Sequence, residues 1–132
     1  MKRHTAGEDY LKTIMILEKE RGTVRSVDVA GRLNVSKPSV SYAVAVLKES
    51  QLLSVDDNMY LHLTDSGRKI AEQVYGRHCF FRDLLLDSGV SKEQAIADAC
   101  TLEHAISEDS FQKLKKSLQE KVSLSLPSCS SF

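Results

Sequence analysis

Residues 26–47 read SVDVAGRLNVSKPSVSYAVAVL, and the spacing of apolar residues within them decides the fold. Val29, Ala30 and Leu33 give a short helix from Val27 to Leu33 one apolar face, with Ser26 as its cap. Asn34, Val35 and Ser36 interrupt that pattern as a tight break. Ser36 then caps a third helix, and Pro38 falls in its first turn, where a missing N–H costs little. Val40, Val44 and Leu47, at i, i+4 and i+7, supply that helix with a buried face. Two short helices around a three-residue turn form a helix-turn-helix pattern.

Toward the N-terminus, Thr5 and Glu8 have capping-box spacing, and Leu11, Ile14, Met15 and Leu17 form an apolar stripe. They predict a first helix over about residues 6–21, ended by Gly22. Toward the C-terminus, strand-like runs at 52–55 and 59–64 flank Asp56, Asp57 and Asn58, the pattern of a β-hairpin. Placed directly after the third helix, that hairpin is the wing of a winged helix. Thr64 then caps a long helix from Asp65 to about Asp87, stopped by Ser88 and Gly89. Ser91 and Gln94 open a helix from Lys92 to about Ile106, and Ser107 caps a last one to about Val122. The expected architecture is mainly α with a small β-hairpin wing. Residues 1–64 are expected to form a winged helix-turn-helix domain, residues 65–122 a helical domain, and the Ser-rich residues 123–132 a flexible tail.

Composition is that of a folded chain: 42% hydrophobic and 27% charged over 132 residues. Net charge is zero, so a DNA binder would need a local basic face rather than a basic whole. Basic residues slightly outnumber acidic ones up to Arg77, and the reverse holds beyond it. No apolar run approaches the roughly 20 residues that span a membrane. No signal peptide is visible, and Cys79, Cys100 and Cys129 are an odd number at irregular spacing. A cytoplasmic, reducing location is expected.

With Val40, Val44 and Leu47 inward, the third helix exposes Lys37, Ser39, Ser41, Tyr42 and Ala45. Small hydroxyls at a helix N-terminus donate to phosphates while the helix dipole favours the anion. Lys37, Arg25 and Arg32 would add salt-dependent attraction. No arginine lies on the exposed face of this helix, so bidentate guanine readout is not expected from it.

Cys100, Glu103 and His104 stand at i, i+3 and i+4, which places them on one face of a continuous helix. Thiolate, carboxylate and imidazole together suit a borderline-soft divalent transition metal. Three ligands on one helix rarely close a site, and Asp9 and His78 are the candidates to complete it. Phe80, Phe81, Leu84, Leu85 and Leu86 are an apolar excess that points to a dimer interface; alternatively, Phe111, Leu114 and Leu118 of the last helix cover them within one chain.

Five motifs in register resemble the DtxR/MntR family of iron- and manganese-dependent repressors. They are Glu8-Asp-Tyr-Leu, Val35-Ser-Lys-Pro-Ser-Val-Ser, Leu63-Thr-Asp-Ser-Gly, the Arg77-His78 pair and Cys100-x-x-Glu103-His104, and they run from about Thr5 to Leu118. The resemblance implies a homodimer that docks two winged helices on a palindromic double-stranded operator when Fe2+ or Mn2+ is bound, and so controls metal homeostasis. It places DNA contacts on Ser36, Pro38, Ser39, Ser41 and Tyr42 and metal ligands on Asp9, His78, Cys100, Glu103 and His104. Asp9 matches the manganese branch and Cys100 the iron branch. Lys12 stands where the manganese branch has a further carboxylate, and Arg82 and Ile96 stand where the iron branch has an ancillary site. Mixed Cys/His/carboxylate ligation would also take Zn2+ or Co2+ in vitro. No membrane and no small organic ligand are expected as partners. The competing readings are a metal-independent winged-helix module that docks protein or DNA, and a metallohydrolase using Glu103 as base. The latter lacks a legible nucleophile motif or substrate pocket, so no enzyme is expected.

Overall fold

The computed structural model describes residues 4–122. Within them lie α1 (His4–Arg21), α2 (Ser26–Leu33), α3 (Lys37–Glu49), β1 (Leu53–Val55), β2 (Leu61–Leu63), α4 (Asp65–Asp87), α5 (Lys92–Leu102) and α6 (Glu108–Val122). The fold is mainly helical with a small two-stranded hairpin, as the spacing predicts. The chain divides into two compact units between Glu72 and Gln73, part-way along α4. No helix among the described residues is long and apolar enough to cross a membrane.

In the first unit, α1 buries Leu11, Ile14, Met15 and Leu17; α2 buries Val29; α3 buries Val40 and Leu47. Asn34 ends α2 in the left-handed conformation at φ 57°, and its N–H donates to the Ala30 carbonyl. Ser36 caps α3 by accepting from the Ser39 N–H at 3.2 Å, with Pro38 in the first turn. β1 and β2 are antiparallel, pairing Leu53 with Leu63, Ser54 with His62 and Val55 with Leu61. The Leu61 N–H donates to the Val24 carbonyl at 2.8 Å, which ties the hairpin to the α1–α2 connection. Asp56 closes the hairpin loop: its carboxylate accepts from the Asn58 and Tyr60 N–H groups at 2.9 and 3.0 Å and meets His62 Nε2 at 2.8 Å.

The hairpin is latched to the start of α4. Thr64 Oγ1 donates to the Gln51 carbonyl at 2.8 Å and accepts from the Gly67 N–H at 3.1 Å. A Cβ at Gly67 would lie 2.0 Å from the Leu52 carbonyl oxygen, so the close approach admits only glycine.

In the second unit, Val74, Cys79 and Phe80 of α4 are buried, as are Ala95 and Ala99 of α5 and Phe111 of α6. Phe80 and Phe111 meet edge to face with centroids 5.2 Å apart, and Phe81 lies 6.0 Å from Phe111. Ser91 caps α5 by accepting from the Gln94 N–H, and Ser107 caps α6 by accepting from the Ser110 N–H.

Four local expectations change. α1 begins at His4, so Thr5 lies inside the helix rather than capping it. Ser26 is the first residue of α2, not its cap; the cap is Arg25, whose N–H donates to the Asp28 carboxylate at 2.9 Å. The strands are shorter, because Asp56 draws the loop's amides into its own hydrogen bonds. α5 ends at Leu102 rather than near Ile106: the His104 and Ala105 N–H groups bond three residues back, to the Thr101 and Leu102 carbonyls, in place of four. The tail expected over 123–132, with Cys129, lies outside the described residues.

Candidate metal centre and nucleic-acid interface

The early end of α5 changes the origin of the ligand cluster. Only Cys100 is helical; Glu103 caps the helix, and His104 opens the turn beyond it. Glu103 keeps helical backbone angles and its N–H bonds the Ala99 carbonyl, so it stays on the face of Cys100; His104 leaves the helical pattern, and His78 from α4 joins the group. Glu103 is fully buried, 0% exposed, and sits between two imidazoles. Its Oε1 is 3.0 Å from His78 Nδ1 and its Oε2 is 3.1 Å from His104 Nε2. Cys100 Sγ lies 3.9 Å from His78 Nδ1. One donor atom from each of His78, Cys100 and Glu103 lies within 4.8 Å of the others.

The donor set fits a divalent metal. Metal–nitrogen and metal–oxygen bonds of about 2.1 Å set neighbouring donors about 3 Å apart, close to the Glu103–imidazole separations. Two imidazoles, a carboxylate and a thiol are ligand types for first-row transition ions. A carboxylate this deeply buried is costly unless paired, and the flanking imidazoles offset that cost. Asp9 lies half-buried on α1, in the first unit.

Two features here were not legible in the sequence. Arg77 appears there only as a motif residue. In the structure its Nε donates to the Glu103 carbonyl and its Nη1 to Glu108, each at 2.7 Å. Cys79, left without a role, is buried beside the centre's helix residue His78. Burial is the main cause that pushes its thiol above the usual range, so it stays neutral and serves packing. Burial likewise pushes Tyr75 up to about 12.

In the first unit, Ser36, Lys37, Pro38, Ser39 and Ser41 are all exposed at or near the N-terminus of α3, and Tyr42 is 74% exposed. Ser36 and Ser39 are also joined through their hydroxyls at 2.9 Å. The exposed Arg25 carries its guanidinium 4.5 Å above the Tyr60 ring, a cation–π contact from the hairpin that sequence reading missed. Arg32 is bound by Glu20, so it adds less positive charge than the sequence suggests.

Among the residues read as a dimer interface, Phe80 is buried within the chain against Phe111, while Phe81, Leu84 and Leu85 are half-buried and Leu86 is exposed. The last helix therefore covers part of the apolar excess.

Residues 4–62 match the family described as iron dependent repressor, N-terminal DNA binding domain. Residues 64–122 match iron dependent repressor, metal binding and dimerisation domain. The chain is 39% identical over 112 residues to the iron-dependent repressor IdeR of Mycobacterium tuberculosis, covering 84% of this chain and 49% of that one. It is 35% identical over 108 residues to the transcriptional regulator MntR of Escherichia coli, covering 82% of this chain and 70% of that one. The manganese regulator SloR superposes with a TM-score of 0.75 at 28% identity, over 86% of this chain and 53% of SloR. The chain thus spans about half the length of the mycobacterial relatives it matches.

Proposed function

Because the chain belongs to the iron-dependent repressor family, we propose that it is a metal-dependent transcriptional repressor that binds a palindromic double-stranded operator as a homodimer. The observation that carries this reading is Glu103, buried between His78 and His104 with Cys100 beside them. In this reading residues 1–64 read DNA, residues 65–122 hold the metal and the dimer contact, and Asp9 is a further ligand contributed by α1. The effector is Fe2+ or Mn2+, the site of action is the cytoplasm, and the chain does no catalysis.

When bound, the divalent ion supplies positive charge that offsets the Glu103 and Asp9 carboxylates and a Cys100 thiolate. His78 and His104 would present ring nitrogens and Cys100 its sulfur to the ion. Asp9 would thereby fix α1 and hold the recognition helix α3 at the orientation that two major-groove half-sites require, about one helical turn apart or a multiple of it. The switch is a shift of population rather than a new contact to DNA. At the operator, Ser36, Ser39 and Ser41 address phosphates at the helix N-terminus, and Lys37 and Arg25 add charge. Pro38 and Tyr42 complete the contact face of α3.

The test is anaerobic binding to the DNA upstream of the protein's own gene at fixed salt, first with chelator and then with Fe2+, Mn2+, Zn2+ or Co2+ added singly. Binding that appears only with metal is the expected outcome. Binding indifferent to metal would keep the winged helix as a DNA module and remove the sensing role from Asp9, His78, Cys100, Glu103 and His104.

A further inference from the structure

After α5 the chain tightens: the His104 N–H bonds the Thr101 carbonyl at 3.2 Å and the Ala105 N–H the Leu102 carbonyl at 3.0 Å. The Glu103 carbonyl is thus one of the end carbonyls for which the helix supplies no partner, and it accepts the Arg77 Nε–H at 2.7 Å. Ser107 caps α6, where its hydroxyl accepts from the Ser110 N–H at 3.1 Å. The same guanidinium donates through Nη1 to Glu108, the first residue of α6, at 2.7 Å. One side chain therefore holds both ends of the turn at 103–107. That side chain is only 6% exposed. A rigid planar fork with several fixed donors can serve two such acceptors together; an ammonium on a flexible stem offers one point charge.

The neighbouring residue on α4 grips the same glutamate from its other end. Arg77 takes the Glu103 carbonyl, and His78 Nδ1 lies 3.0 Å from the Glu103 carboxylate. The break in α5 leaves His104 facing the second carboxylate oxygen at 3.1 Å.

We propose that Arg77 is the positioning residue of the metal centre: by clamping the turn after α5 to Glu108, it sets Glu103 and His104 against His78 for a divalent ion. Its bonds to the Glu103 carbonyl and to Glu108 act through the turn. The proposal rests on the assignment of His78, Cys100, Glu103 and His104 as ligands.

The experiment is titration of the full chain with Co2+ under anaerobic conditions, following its ligand-field bands and the thiolate charge-transfer band. Arg77→Met should raise Kd roughly tenfold to a hundredfold, the range for groups that orient metal ligands. At saturation its bands should be shifted or weakened. Arg77→Lys should recover only part of the affinity, since it cannot hold both acceptors. Glu108→Ala, which removes one arm, should move Kd and spectrum in the same direction by less; it also serves as the test if Arg77→Met fails to fold. A residue that merely props the fold would lower the Tm of the metal-free protein while leaving the saturated spectrum and Kd at wild-type values, and that result would overturn the proposal. If Cys100→Ser leaves the wild-type protein's charge-transfer band intact, the ligand assignment itself is wrong, and the role of Arg77 falls with it.

Discussion

The turn at Asn34–Ser36 and the turn at Glu103–Ser107 each join two helices, and they are built in different ways. The first is closed by its own residues: Asn34 takes the left-handed conformation, the Val35 N–H returns to the Ala30 carbonyl at 3.1 Å, and Ser36 caps the next helix. The second is closed from 26 residues away by Arg77. The first is exposed and presents hydroxyls to solvent; the second surrounds a carboxylate with no exposure at all. A contact surface can be preset by local chemistry. A sensor that must hold a buried anion needs tertiary support, because an unpartnered carboxylate there would cost several kcal/mol.

The sharpest way to break the contrast is at its most buried member. Glu103→Ala should lower Co2+ affinity by about a hundredfold or more, beyond the loss seen for groups that only orient ligands. It should also abolish metal-stimulated operator binding. If titration calorimetry finds affinity unchanged, the second turn is a structural joint and nothing more. Cys100→Ala with His104→Ala should likewise remove the metal response while sedimentation shows the same oligomeric state as the parent.

Next in size is a junction of intermediate kind, between the hairpin and α4, where local Thr64 and remote Leu52 both take part. Gly67→Ala places a methyl against the Leu52 carbonyl and should cost about 1–3 kcal/mol in urea unfolding, as overpacking does. An unchanged midpoint would mean that α4 can shift off the hairpin without loss. Ser36→Ala should cost about 1 kcal/mol, the worth of an N-cap, and leave Co2+ affinity alone. A change in that affinity would couple the two turns in a way their separate construction does not require.

The smallest effect concerns the hairpin loop. The bond to His62, followed by that to the Tyr60 amide, holds the Asp56 carboxyl below its ordinary value of 3.8. A group depressed on folding contributes stability above its unfolded pKa and loses it as pH falls through the folded one. The protection of the Tyr60 amide, its exchange rate relative to an unstructured peptide at the same pH, should therefore hold at neutral pH and fall only below about pH 4, the unfolded carboxyl range. Asp56→Asn should flatten that dependence; an identical profile would show that Asp56 does not hold the loop.

Legibility in the sequence followed the same division. Val40 and Leu47 are buried as their spacing demands, and Ser36, Ser91 and Ser107 cap the helices they precede. Each of those signals acts within one turn of chain. The expected end of α5 lies four residues too far on because nothing in the residue types between Cys100 and Ile106 stops a helix; the chain tightens there, and the side chain that fastens the turn is on α4. Arg32 reads as a free cation until Glu20 binds it, and Tyr60 reads as a strand residue until Arg25 stacks on it. Cys100, Glu103 and His104 stay near one another because i, i+3, i+4 spacing is compact whether the helix continues or tightens at its end.

The two partners of Arg77 lie 26 and 31 residues further along the chain. During synthesis, every residue proposed to face DNA has emerged by Tyr42, and α3 is complete at Glu49. The clamp, by contrast, cannot close until Glu108 has left the ribosome, and contacts of long sequence separation form late in folding. A nascent chain would then complete the helices proposed to read DNA well before it could close the clamp proposed to order the metal ligands, so that a molecule could be switched on only after synthesis had passed Glu108.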